Sequence, residues 1–163
     1  MNGHAVISPC GKYRYVLTRQ IQTTLPLPGE PILFVMLNPS TADASIDDPT
    51  IRRCMGFARA WGRNGICVAN LFAIRSTDPA GIAAASDPVG PENNAWLQRL
   101  ASQCKDVVCA WGSHKQAAHR QRYVRDIMLD AGAQIWCLGT TKDGSPRHPL
   151  YVPNSQQLER WPQ

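Results

Sequence analysis

Apolar and polar positions follow two regimes along this chain. Over the first 20 residues they alternate around Pro9-Cys10-Gly11-Lys12, with Ala5, Val6 and Ile7 before the turn and Tyr13, Tyr15, Val16 and Leu17 after it. That pattern predicts an antiparallel hairpin. A polar, proline-punctuated stretch over 22–30 reads as a surface connector. From residue 32 onward, short runs apolar on both faces, at 32–37, 66–71, 107–111 and 135–138, alternate with amphipathic helical stretches. Runs of this kind are what parallel strands covered by helices look like.

The helices carry their own punctuation. Asp48-Pro49 is an N-cap followed by proline at the first helical position, and Ile51, Cys54, Met55, Ala58 and Trp61 recur at helical spacing until Gly62. A second helix is expected from near Pro91 through Trp96, Leu97 and Leu100. A third takes Ser113 as its N-cap, with Ala117, Val124, Ile127, Met128 and Ala131 inward and Lys115, His119, Arg122 and Arg125 outward. A last short helix is expected over 154–161. The fold class is therefore α/β: a three-layer αβα domain around a central, mainly parallel four-stranded sheet, plus an N-terminal hairpin. One domain accounts for 1–163, with the hairpin at 1–21, the core at 31–152 and a C-terminal segment at 153–163.

Composition narrows the class further. Of 163 residues, 44% are hydrophobic and 18% charged, which suits a packed core and excludes a disordered chain. No apolar run approaches the roughly 20 residues of a membrane span, and the N-terminus lacks the layout of a signal peptide, so a soluble cytoplasmic protein with no membrane partner is the expectation. Lys plus Arg number 17 against 12 Asp plus Glu, a formal charge of +5 that leans toward polyanionic partners. The six cysteines form no Cys-x-x-Cys pair and, lying mostly inside apolar runs, read as buried free thiols in a reducing compartment, with neither a metal site nor a cofactor implied.

In an open α/β sheet, ligands bind beyond the carboxyl ends of the strands. Those ends read Asn38-Pro39-Ser40-Thr41-Ala42-Asp43, then Asn70-Leu71-Phe72, then Trp111-Gly112-Ser113-His114, then Gly139-Thr140-Thr141 leading to His148-Pro149-Leu150-Tyr151. Each Asn alone is a turn-former and each aromatic alone a core residue. Their significance lies in convergence, because the alternating pattern brings all four ends to one edge of one sheet.

Asn38-Pro39, the strand-end Asn70, the apolar run into Trp111-Gly112 and the late His148-Pro149 resemble, in order and spacing, the motifs of the uracil-DNA glycosylase superfamily. The string Met36-Leu37-Asn38-Pro39-Ser40-Thr41-Ala42-Asp43 with Asp48-Pro49-Thr50-Ile51-Arg52-Arg53-Cys54 is also similar to the signature of a bacterial and phage family that supplies no activity. The superfamily resemblance implies a glycosylase-like hydrolase of the N-glycosidic bond of an unusual or modified base, with nucleic acid, DNA foremost, or a nucleotide as partner. It departs from the superfamily pattern where Leu37 replaces a small residue, Leu150-Tyr151 replaces Ser-Pro, and Asn38 stands in place of Asp.

The residue types suit that chemistry. Breaking the bond develops positive charge on the sugar and negative charge on the base, so a donor is needed at the base oxygen and an acceptor to orient water. The resemblance assigns the donor to His148 and the acceptor to Asn38. Asp43 is the carboxylate placed to replace or assist Asn38, whereas Asp48 serves as a helix cap. Asn70 offers both donor and acceptor to a base edge, Phe72 a stacking face, and Pro39 and Ser40 further base contacts. Ser113, His114, Lys115, Lys142 and Arg147 are expected on the phosphate backbone. Two other readings remain open: a non-catalytic nucleotide or nucleic-acid binding module, and a metal-dependent phosphate-ester hydrolase using Asp43 and Asp47.

Overall fold

The structure, a computed structural model, describes residues 2–161. The expected parallel core is β3 (Ile32–Met36), β4 (Gly65–Asn70), β5 (Asp106–Cys109) and β6 (Gln134–Cys137), paired in the order β4-β3-β5-β6. The sheet is wider than four strands, however. The hairpin β1 (Gly3–Ile7) and β2 (Arg14–Gln20) joins it through antiparallel pairing of β2 with β4, and β7 (Glu159–Arg160) pairs antiparallel with β6. The result is a seven-stranded mixed sheet, β1-β2-β4-β3-β5-β6-β7. β7 also replaces the helix expected over 154–161, since residues of that segment form a turn and then satisfy the open edge of β6.

Alternation along β3 divides the core. Ile32, Phe34 and Met36 face α1 (Pro49–Ala60) and the 3-10 turn Pro149–Tyr151, while Leu33 and Val35 face α3 (Asn93–Cys104) and α4 (Lys115–Asp130). α1 starts where its sequence indicates: Asp48 Oδ1 accepts from Ile51 N at 2.9 Å, with proline next in the chain. A short α2 (Ala80–Ala84) was not legible in the pattern. α3 begins two residues later than Pro91, and His114 rather than Ser113 caps α4, its Nδ1 accepting from Gln116 N at 3.2 Å. All six cysteines are free; Cys10 is exposed rather than buried because it sits at the hairpin turn.

This order has a switch point. The chain leaves β3 through α1 to reach β4 on one side, and leaves β5 through α4 to reach β6 on the other. The loops after β3 and β5 therefore diverge, and a crevice opens between them at their carboxyl ends.

Candidate functional site

A cavity of about 530 Å³ occupies that crevice, within the size range of small-molecule sites. Asn38, Asn70 and His148 all line it. They come from the ends of β3 and β4 and from the loop after β6, so the sheet topology assembles residues up to 110 positions apart.

The Asn38 amide faces the carbonyls of Ser76 at 2.9 Å, Pro39 at 3.2 Å and Ile74 at 3.5 Å, each accepting from Nδ2. This orientation fixes which end of the amide is which and leaves Oδ1 as the free acceptor. Asn70 is 2% exposed, and its Nδ2 has no hydrogen-bond partner. A buried unpaired donor costs about 1–3 kcal/mol, so this amide carries an unmet demand for an acceptor beside the cavity that Asn70 lines.

Asn70 is held from behind. Asn93 Nδ2 donates to the carbonyls of Asn70 at 3.0 Å and Leu71 at 3.2 Å, and the Arg120 guanidinium donates to Leu71 O and, at 2.5 Å, to Asn94 Oδ1. Both are buried polar side chains from the helical layer. They take up the last carbonyl of β4 and the one just past it, where the sheet ladder gives out.

His148 is half-buried and caps the 3-10 turn, its Nδ1 accepting from Leu150 N at 3.2 Å. With Nδ1 an acceptor, the neutral ring carries its proton on Nε2 and is a donor there. Burial pulls its pKa below 6.5, opposed by the nearby Asp48 carboxylate, so the ring is neutral at neutral pH. The loop that carries it is stitched to the end of β5. Gly112, at φ +74, donates its N–H to Pro146 O at 2.8 Å. The Asp143 carboxylate accepts from Ser113 Oγ at 2.6 Å, from Thr141 Oγ1 and from Ser145 N, and these donors hold it far below the usual carboxylate range. A side chain at position 112 would reach His148 Cβ within 3.6 Å on a left-handed backbone that only glycine adopts freely.

The other expected site residues divide. Ser40, Ser113, His114 and Arg147 line the cavity; Pro39, Lys115 and Lys142 do not. Phe72 is turned into the core beneath α3 and α4, with the Arg120 guanidinium 6.0 Å from its ring, so it has no face for a base. The aromatic groups at the cavity are Trp111, buried, and Tyr151, 78% exposed and 5.6 Å from the His148 ring.

The acidic residues are exchanged relative to expectation. Asp43 lies outside the cavity, its Oδ1 accepting from Ser45 N at 2.8 Å, Ile46 N at 2.9 Å and Ser45 Oγ at 3.1 Å in a tight local turn. Asp48, which does cap α1, is the one carboxylate among the described residues that line the cavity. Asp47 pairs with Arg19 at 2.7 Å, so Asp43 and Asp47 do not converge on a cation.

Arg14 was missed altogether. Because β2 runs antiparallel to β4, its first residue lies at β4's carboxyl end, where Arg14 N donates to Ala73 O at 3.0 Å and the side chain reaches the cavity. A cation within an alternating apolar strand was the available signal; its register was not.

The fold and the site define a doubly wound α/β protein with a cavity at its topological switch point, its wall mainly apolar with a few polar side chains set into it. Residues 14–150 match the family described as a protein of unknown function, DUF1643, and the chain belongs to that family. No curated protein and no solved structure matches it. The matched span begins at Arg14 and holds every residue that lines the cavity except Tyr151.

Proposed function

We propose that this protein processes a base in nucleic acid, as a glycosylase-like hydrolase of the N-glycosidic bond of an unusual or modified base. The observation that carries the reading is the meeting of Asn38, Asn70 and His148 in one cavity, with the Asn70 amide donor unpaired. In this reading Asn70 pairs with the polar edge of an extruded base, and Tyr151, not Phe72, offers the stacking face. His148 Nε2–H donates to the base oxygen as negative charge develops there. Asn38 Oδ1 orients water, and Asp48 supplies the carboxylate that Asp43 is too far aside to give. The C–N bond pair leaves with the base, the water oxygen bonds to the anomeric carbon, and the water proton passes by way of Asp48 to the departing nitrogen.

A second reading, a binding module without hydrolysis, is favoured by two facts. The Asn38 amide is tied to three carbonyls, and Asp48 is engaged as a cap. Incubation with oligonucleotides carrying a panel of deaminated and modified bases separates the two. Hydrolysis leaves alkali-labile abasic sites and free base, and His148→Ala slows release roughly 100- to 1000-fold. Binding without release from any base assigns the cavity to recognition alone. Nucleic acid as partner also requires affinity that falls with added salt, as phosphate contacts release counterions.

A further inference from the structure

Two arginines of β2 are almost completely buried, and the chain treats them differently. Arg19, 1% exposed, pairs with Asp47 and donates to the carbonyls of Thr18, Asp43 and Ile46, so that every one of its nitrogens is bonded. Arg14, 3% exposed, makes one side-chain hydrogen bond among the described residues, from Nη1 to Ala42 O at 2.6 Å. Its Nε is sealed off without a partner, and its Nη2 has none either. No salt bridge compensates it among the described residues, yet it lines the cavity.

A buried guanidinium without a counter-charge is unfavourable unless something else supplies the charge. Burial draws Arg14 down to about 10, which leaves it charged at neutral pH. The groups whose charges reach it are Asp48 and Asp43 on one side and Arg19 and Arg75 on the other. Asp43 is held in its own turn and Arg19 is paired with Asp47, so neither is available to Arg14. Along the cavity wall Arg14 and Arg147 face the single carboxylate of Asp48, with His148 neutral, and the balance there is positive. The same wall includes Thr50 in the first turn of α1, whose amide has no intrahelical acceptor and sits at the positive end of a 12-residue helix.

We propose that Arg14 is an anion subsite within this cavity and that the ligand is a nucleotide whose phosphate it receives. The base part of the ligand rests on the function proposed above; the phosphate part rests on Arg14. A cavity of about 530 Å³ holds more than a lone base, and the subsite uses the remainder. A tetrahedral phosphate presents oxygens in several directions, which suits donors arriving from a strand start and a helix start together; a guanidinium is the side chain that meets such oxyanions best.

Titration calorimetry with deoxynucleosides, their 5′- and 3′-monophosphates, the corresponding dinucleotides and inorganic phosphate tests this. The monophosphate is expected to bind about 10- to 100-fold tighter than its nucleoside. Arg14→Met should bring that ratio close to one with nucleoside affinity kept, and Arg14→Lys should retain part of it. Dinucleotides binding at least as tightly as monophosphates place the phosphate within a strand; weaker binding makes the ligand a free nucleotide. Equal affinity of nucleoside and monophosphate for the unaltered protein overturns the subsite, whatever the stability of the variants. So does an unchanged ratio in a folded Arg14→Met. Asn70→Ala should weaken nucleoside and monophosphate by the same factor. If no nucleoside binds while inorganic phosphate binds and is lost in Arg14→Met, the base reading fails and the subsite stands.

Discussion

Asp48 joins two duties that a pair of substitutions can pull apart. Its Oδ1 closes the first turn of α1 through Ile51 N, and its charge reaches both His148 and Arg14 across the cavity. Asp48→Ala removes the cap, a loss of typically about 1 kcal/mol. α1 is anchored by buried Ile51, Cys54, Phe57 and Ala58, so the helix frays at one end and does not melt. For a domain of this size that corresponds to a fall in Tm of about 2–4 °C. Asp48→Asn keeps an oxygen in the same place and ranks with Asp as a cap; as a cap it loses only the attraction to the helix dipole, a few tenths of a kcal/mol in physiological salt, and a larger loss would read the charge that Asp48 lends to Arg14. Both substitutions remove the carboxylate that raises the His148 pKa, so both should move it further below 6.5. Both should also slow base release, by roughly 100- to 10,000-fold if Asp48 takes the water proton. Urea denaturation, an NMR titration of the His148 ring and single-turnover release read the three effects separately. Asp48→Ala as stable as the unaltered protein refutes the cap, and an unmoved His148 refutes the shared field. Asp48→Asn releasing base at the full rate returns water activation to Asn38.

Other outcomes follow from the same geometry. Burial depresses the His148 pKa, so its contribution to stability is fully present above pH 6.5 and is lost as pH falls toward its folded value, where protonating Nδ1 also sets a donor against Leu150 N–H; urea midpoints across this window should show the loss, and His148→Gln should abolish that component. Phe72→Ala should cost about 3–5 kcal/mol of stability as a core deletion, whereas Tyr151→Ala should leave stability within about 0.5 kcal/mol and weaken ligand binding; the reverse pattern in denaturation and calorimetry would restore Phe72 to the site. In the folded protein a thiol reagent should label Cys10 first, being exposed and made more acidic by the Ser8 hydroxyl, and Cys54 and Cys109 last; under denaturing, non-reducing conditions all six should react.

The parallel core was legible because burial on both faces writes a strand as an unbroken apolar run, as at 32–37. The edges were not, because β7 is two exposed residues with no periodicity to detect, and the hairpin's place depends on pairing at long range. The same distinction runs through the site. Asn38, Asn70 and His148 stand at strand ends or behind a recognisable turn, so the switch-point rule located them. Phe72 was misassigned because the chain past β4 turns Leu71, Phe72 and Ala73 together into the cluster beneath α3 and α4, and an aromatic next to a strand-end Asn does not show in sequence which way it turns. Asp43 and Asp48 exchanged roles because a carboxylate that caps a helix can also face a cavity, and nothing local in the sequence tells which of its sides is open. Arg14 required the β2–β4 register, which pairs Leu17 with Val68 and is absent from any window of neighbouring residues.

That register also sets a timetable. The strand bearing Arg14 and Arg19 precedes its partner β4 in the chain, and paired positions such as Leu17 and Val68 are separated by a helix and a parallel strand. During synthesis the hairpin emerges before β4 and has no sheet to join until β4 is complete. Such long-range closure is slow compared with forming α1 or the hairpin itself. Until then two guanidiniums remain hydrated and the cavity lacks its basic wall. Binding competence should thus arise at a late step of folding, when β2 docks and water is stripped from both arginines, and a truncated chain that keeps the parallel core would still have no seat for the anion.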